Sequence, residues 1–345
     1  MRAFPLAGGA PASLDGTADA DATAVIRLSA PGRELMLQTP RLETHIGGAE
    51  ANVAVSLARF GHDANVVSIV PDNALAHGAL AELRRWNVGT AHVRAGHGRM
   101  GLYFLTPGAG QRPSDVLYDR AHSAFALASG DAIDWKAAFI GADSLHVSGV
   151  TPAVSANGAE AALRAVKAAR AAGVKVSYDA NFRAKLWEAR GGDPRPTLDA
   201  LFAEADLVFA EGRDIALIAG DKPNSNAEAA RIAFARYPNL QRIAYTERKV
   251  ISADQHELSA HMHTRSGNFA ARAHAVSGIV DRIGGGDAFA AGLLHGLNSG
   301  YADDKALDFA LAAACLKHYI PGDFNLSTVA DVEFYLSDSG SDVRR

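Results

Sequence analysis

From about residue 63 onward, short runs rich in β-branched residues alternate with alanine-rich stretches of helical period, and this pattern narrows the fold more than any other feature. "NVVSIV" precedes "ALAHGALAELRRW", "DSLHVSG" precedes "ANGAEAALRAVKAARAAG", and "VKVSYD", "DLVFAE", "NAEAARIAFARY" and "QRIAYTE" continue the pattern. Strand, helix and strand at this spacing require right-handed crossovers and a mostly parallel sheet covered by helices. The class is α/β. With 345 residues, 48% of them hydrophobic, the chain can bury one large core, so a single domain over residues 1–345 is expected.

Two regions break the alternation. Residues 24–48 and 98–124 have strand-like residues, turn residues between them and no helical period. They read as antiparallel strands inserted in the domain as a small β-sheet lid over the site. Elsewhere the punctuation is regular: Gly173 follows an Ala/Arg/Lys helix and precedes "VKVSY", as a left-handed residue past a helix end would. Asp179 falls where that strand finishes. Ligands in open α/β sheets bind beyond the carboxyl ends of the strands, so "DANFR", Asp179 to Arg183, is positioned to face a site.

The segment "DRIGGGDAFAAG", Asp281 to Gly292, sets three glycines between two carboxylates, ahead of an apolar helical face made by Phe289, Leu293, Leu294 and Leu297. Glycines that open a helix expose unpaired amides at the positive end of the dipole, which is an anion hole suited to phosphate. Asp287 beside such a hole repels the ligand unless it has a purpose, and taking a proton from an attacking hydroxyl is one. From the residues alone, the segment also reads as a glycine turn with Asp287 capping the helix.

Other signals exclude more than they suggest. A net charge of −4 gives no overall footprint for nucleic acid or an anionic membrane surface, and no run is long and apolar enough for a membrane span. A cytoplasmic protein acting on a small molecule is the expectation. The one cysteine, Cys315, sits in an apolar helical run and reads as a core thiol. "GHGRMG", Gly96 to Gly101, matches the dinucleotide fingerprint formally, but the strand-like "LYFLTPG" follows where a helix should. No G-x-x-x-x-G-K-[ST] loop occurs. "HMH", His261 to His263, reads as a solvated strand rather than a metal site.

The glycine segment resembles the C-terminal signature of the PfkB, or ribokinase-like, sugar kinases, and "GGAEANVAVSLARFG", Gly47 to Gly61, resembles their N-terminal one. Both occur in the family's order. Within that family "YDRAHSA", "HVSGVTPA", "SYDANFRAKLW", "YTERKVISA" and "LKHYIPGDFNL" look like the 2-keto-3-deoxygluconate kinases, as does Arg282 where the wider family has Thr. The resemblance implies a ribokinase-like α/β/α sandwich, ATP and Mg²⁺, a sugar-acid substrate phosphorylated at its terminal (C6) hydroxyl, and self-association through the lid.

Residue by residue, the resemblance makes Asp287 the base and the amides of Gly284, Gly285 and Gly286 the anion hole. Arg120 and Arg183 would pair with the substrate carboxylate, for which arginine's planar fork is suited. Tyr103 and Tyr118 would contact substrate, and Gly48 and Asn52 would meet its hydroxyls. Thr246, at the end of a predicted strand, would meet nucleotide phosphates, and Lys317 and Asn325 the adenine side. Glu211 and Asp214 in "EGRD" fall where many members have an Asn-x-x-Glu that organises Mg²⁺. The family's first strand ends in Gly-Glu, and here "FPLAGGAPASLDGTADADATAVIRLS" has no matching acidic residue, so it is either an insertion or the first strand is residues 3–7. A kinase of the galactonate epimer, fructose or ribose, and a silent sugar-acid sensor, are the alternatives.

Overall fold

The alternating elements assemble into one ten-stranded sheet and a separate four-stranded one. The structure, a computed structural model, describes residues 17–21, 24–220 and 222–337. In chain order the strands are β1 (Thr17–Asp21), β2 (Val25–Ser29), β3 (Glu43–Gly47), β4 (Asp63–Pro71), β5 (Val88–Gly89), β6 (Val93–Gly96) and β7 (Gly101–Thr106). There follow β8 (Asp115–Asp119), β9 (Ala142–Ser148), β10 (Lys175–Asp179), β11 (Leu207–Phe209), β12 (Arg242–Ser252), β13 (Gln255–Thr264) and β14 (Asn268–Ser277).

The large sheet runs β14-β13-β12-β11-β10-β9-β1-β4-β5, with β6 beside β4. It is parallel from β5 to β12, and antiparallel from β12 to β14, where short turns replace helical crossovers. One face is covered by the helices Ala49–Arg59, Gly285–Asn298 and Asp303–Lys317, and the other by Ala156–Ala171, Arg195–Glu204 and Asn226–Arg236. The layering is α/β/α. On the first face two helices meet at backbone contact, since a Cβ on Gly292 would lie 2.7 Å from Ala310 Cα. Gly173 is left-handed (φ 77°), as its place before a strand implied.

The central strand β1 was not visible in the sequence. "TADAD" is poor in the residues that favour strands, so only its neighbours β4 and β9 impose the conformation. Residues 3–7, the alternative first strand, lie outside the described residues.

The regions 24–48 and 98–124 supply β2, β3, β7 and β8, in the order β3-β2-β7-β8. The two hairpins are antiparallel, but they join through a parallel β2–β7 pair rather than an antiparallel one. After β3 the chain passes through a helix and β4–β6, then returns in the direction of β2. Gly96 ends β6 and Gly101 begins β7, so no helix follows the dinucleotide-like segment. Cys315 is fully buried and its thiol is pushed up to about 12 by burial. "HMH" is not a solvated edge: β13 is flanked on both sides, and His261 and His263 stack on Tyr245 with centroids 5.2 and 5.8 Å away.

Several histidines are buried without a charge partner. His62 Nε2 and His295 Nδ1 are 2.8 Å apart among Phe60 and Phe309. Burial lowers His62 and pushes His146 and His295 down to about 4. An unfolded histidine titrates near ~6.5, so between that value and the folded one the unfolded chain binds more protons and stability falls as pH drops. Each such histidine adds a slope of up to about 1.4 kcal/mol per pH unit in that window. The double replacement His62→Leu with His295→Leu should flatten the decline in urea-unfolding free energy between pH 6.5 and 4.5 relative to the parent. An unchanged slope would show that neither histidine is held neutral.

Candidate active site

The parallel strands deliver their carboxyl ends to one side of the sheet, the general position for a ligand in open α/β folds. Asp179 ends β10, Glu211 follows β11, and the chain past β10 turns at Asn181 (φ 34°), whose amide donates to Asp179 Oδ1 at 3.0 Å. The cavity there measures about 840 Å³, within the usual range for small-molecule sites. Gly48, Asn52, Tyr103, Tyr118, Arg120 and Arg183 line it. So do Glu211, Thr246, the three glycines and Asp287.

Gly284 (φ 81°) is the cap of the helix Gly285–Asn298. A Cβ there would lie 2.0 Å from the Asp323 carbonyl oxygen, while one on Gly286 would meet nothing within 4 Å. Amides of the first turn lack intrahelical partners; Gly284, Gly285 and Gly286 line the cavity, and the Gly285 amide donates to the Arg282 carbonyl at 3.3 Å. Asn52 Nδ2 donates to Asp287 Oδ2 at 2.6 Å. Burial and the Asp323 charge push Asp287 up to about 6, against the Asn52 bond, Arg183 and Lys317. Asp179 is pushed further, to about 8, by burial and by Asp287 itself. Two neighbouring carboxyls whose affinities are driven apart can divide the tasks, one holding a proton and the other free to take one.

The cations are arranged differently. Arg120 stacks over Tyr118, 5.1 Å from its centroid, with Nε and Nη1 buried and unpaired. Arg248 and Arg282 also line the cavity, and burial together with Arg282 and Arg183 lowers Arg248. Among the described residues none of these four arginines forms an ion pair with a carboxylate. Asp179, Glu211, Glu247 and Asp287 line the same cavity, and arginines outside ion-pair distance of them have donors to offer an anionic ligand.

Several expected contacts are corrected. Asn52 gives its Nδ2 to Asp287, while its Oδ1 is buried without a partner. The Tyr103 hydroxyl donates to Asp323 Oδ2 at 2.5 Å. Thr246 is mid-strand, because β12 leaves its partner β11 after Ala244 and continues into the hairpin with β13. Lys317 does not line the cavity: it is fully buried, and Nζ donates to the carbonyls of Ile320 at 2.9 Å and Asp281 at 3.4 Å. Leu311, Ala314 and His318 line it from the neighbouring face of the same helix and its end, with Leu258 opposite. Asn325 is buried, with Oδ1 accepting from the Ser327 amide at 3.2 Å. Asp214 Oδ2 accepts from the Glu211 amide at 2.8 Å, capping a helix, and Asp214 does not line the cavity.

Glu211 alone of the predicted metal pair reaches the cavity, beside Arg213 at 3.2 Å. No group of three or more metal-ligating side chains occurs among the described residues. That fits Mg²⁺ held through phosphates and its water shell with one carboxylate, and does not fit a protein cage. Residues missed in the sequence include Arg248, Asp323 and Glu50. Glu50, in the "GGAEAN" motif, is fully buried, accepts from the Ser148 amide at 3.1 Å and the Thr151 hydroxyl, and burial pushes it up to about 7.

The sequence matches the description "pfkB family carbohydrate kinase" over residues 18–319. The chain belongs to this family. As a pfkB kinase it is a phosphotransferase with an alcohol acceptor, close to the 2-keto-3-deoxygluconate kinases. It is 32% identical to a 2-dehydro-3-deoxygalactonokinase of Haloferax volcanii, over 92% of this chain and 96% of that one. The structure of a 2-dehydro-3-deoxygluconokinase from Thermotoga maritima superposes with a TM-score of 0.88 at 35% identity, covering 93% and 99% of the two chains. A putative ribokinase II from E. coli, in complex with ATP and Mg²⁺, shares the fold with a TM-score of 0.80 at 17% identity, covering 93% and 99%.

The glycines of this kinase should not be equivalent. Gly284→Ala should lower stability by about 1–3 kcal/mol through the strained left-handed backbone and the displaced Asp323 carbonyl, whereas Gly286→Ala should leave the melting midpoint nearly unchanged. Equal midpoints for the two variants would contradict the close approach at Gly284.

Proposed function

We propose that this pfkB kinase, acting as a single unit, transfers the γ-phosphoryl group of ATP to the terminal hydroxyl of 2-keto-3-deoxy-D-gluconate, giving the 6-phosphate. The observation that carries this reading is Arg120, which lines the cavity together with Arg183 and has two buried donors, Nε and Nη1, without a partner. A neutral sugar leaves those donors unsatisfied, whereas a carboxylate accepts from both.

In this reading the carboxylate of the sugar acid anchors on Arg120 and Arg183, and its terminal hydroxyl lies against Asp287. Asp287, ionised at neutral pH and oriented by Asn52, takes the hydroxyl proton as oxygen attacks phosphorus. Amides of the glycine turn receive the charge on the moving phosphoryl oxygens, with Arg248 and Arg282 available to the phosphates. Thr246 and the apolar group Leu258, Leu311 and Ala314 suit the nucleotide. Mg²⁺, near Glu211, would neutralise phosphate charge. Positioning and electrostatics supply most of the rate in such transfers.

A coupled ADP-release assay with ATP and Mg²⁺ against 2-keto-3-deoxygluconate, its galactonate epimer, gluconate, fructose and ribose tests this. Turnover confined to the keto-deoxy acids supports it. Faster turnover of a neutral sugar would refute the roles of Arg120 and Arg183, and sugar-acid binding with no turnover would indicate a sensor. The epimer is the second reading, favoured by the similarity to the Haloferax volcanii galactonokinase.

Three outcomes are expected of variants. Asp287→Asn should cost about 100-fold or more in kcat while sugar-acid binding persists. Arg120→Met should raise KM for the sugar acid about 10- to 100-fold. Because Asp287 must be ionised and titrates at about 6, kcat/KM should fall as pH drops through that value. Asn52→Leu removes the bond that opposes the upward shift, so the acid limb should move to higher pH.

We also propose self-association through the face of the four-stranded sheet that carries Leu28, Leu102, Phe104 and Leu117, the last 60% exposed. Sedimentation should give a dimer for the parent and a monomer for Leu117→Lys; a monomeric parent would rule the interface out.

A further inference from the structure

The two-residue turn between β12 and β13, Ala253–Asp254, is docked into the long loops of the four-stranded sheet. The Ala253 amide donates to the Gly110 carbonyl at 2.7 Å, and the Gly110 amide donates to Asp254 Oδ2 at 3.3 Å. Arg33, in the β2–β3 loop, meets the same carboxylate with both arms of its guanidinium, Nη1 to Oδ2 at 3.0 Å and Nη2 to Oδ1 at 2.9 Å. Arg112, in the β7–β8 loop, donates to the carbonyls of Arg33 at 2.5 Å and Pro107 at 3.1 Å, so the two loops are also tied to each other.

These contacts join elements that line one cavity with different chemistry. β12 contributes Thr246, Arg248 and Val250, while β7 and β8 with the residue after them contribute Tyr103, Tyr118 and Arg120. The docked turn is therefore a direct mechanical link between the groups assigned to the nucleotide and those assigned to the sugar acid. We propose that Arg33 and Asp254 are positioning residues that couple the two substrates, each ligand tightening the other because the turn holds the four-stranded sheet against β12. This rests on the kinase reading above, and adds to it a cause for synergy that lies outside the catalytic groups.

Coupling between two ligands is a reciprocal free energy, readable from binding alone. The pair is partly exposed, Arg33 at 58% and Asp254 at 30%, so its effect should be modest and screened by salt. The test is calorimetric: the Kd of β,γ-imido-ATP with Mg²⁺, measured with and without saturating 2-keto-3-deoxygluconate, in the parent and in Asp254→Asn and Arg33→Met. The Kd without the sugar acid divided by the Kd with it should exceed one in the parent and drop by about two- to fivefold in each variant. Kd for either ligand alone and the melting midpoint should stay near parental values. The ratio should also fall with added salt in the parent but not in the variants, which a merely structural role would not produce. The reversed pair, Arg33→Asp with Asp254→Arg, should recover part of the coupling.

A parent that binds both ligands without coupling, or variants that keep the parental ratio, overturns the link and leaves the kinase reading intact. A parent that binds neither ligand overturns both.

Discussion

The four-stranded sheet and the glycine turn are joined at the site by one buried charge cluster. Arg27 of β2 donates to Asp281 Oδ2 at 2.6 Å and to Asp323 Oδ1 at 3.0 Å, and its Nε donates to Ser29 at 2.6 Å. Asp281 also accepts from the amides of Ile283 and Gly322, both at 3.0 Å, and Asp323 accepts from Tyr103. Three distant parts of the chain meet there: the four-stranded sheet, the segment that enters the glycine turn, and the loop after the helix Asp303–Lys317. Burying such ions is costly, and removing one partner of such a cluster costs about 3–5 kcal/mol because the others are left uncompensated. The cluster thereby makes the placement of the second sheet beside the anion hole all-or-none.

From this mounting the electrostatics of the cavity follow. Lys317 lies beside the glycine turn, where burial lowers it to about 8 while Asp281 and Asp323 raise it, and its ammonium donates to the carbonyls of Asp281, ahead of the turn, and Ile320, past the end of its own helix. Asp323, held by Arg27 and Tyr103, is close enough to Asp287 to raise it. Desolvation raises Asp287 and Asp179, and the Arg183 charge opposes that rise in both. A pfkB kinase binds a sugar and ATP, and the cavity is organised to receive negative charge rather than to neutralise it internally.

The alternation of strands and helices, the helix opened by the glycine triplet and the separate sheet from residues 24–48 and 98–124 were all legible, because periodicity and glycine placement are local properties of the chain. The strand-end position of Asp179 to Arg183 was legible from the alternation, while Asp287, Arg120 and Glu211 were placed at the site by the family resemblance. β1 was not legible, because its polar composition carries no strand preference and its neighbours alone make it a strand. Lys317, Asn325 and Asp214 were placed by the family resemblance, and in the structure none of the three lines the cavity. Arg248 escaped notice for the converse reason: it stands in an ordinary strand, and only the long β12–β13 hairpin brings it over the cavity.

The sequence by itself determined the layered α/β fold, the family and the chemical types at the site, because these depend on period, glycine spacing and two motifs in order. Only the tertiary structure decided which polar groups are free. Tyr103 and Asp214 are bonded within the protein, whereas Arg120 is left with buried donors and Asn52 with a buried Oδ1 that have no partner. Hydrogen-bond satisfaction is a property of groups brought together from distant parts of the chain, and burial, which sets the proton affinities of Asp287 and Asp179, exists only once those parts have packed.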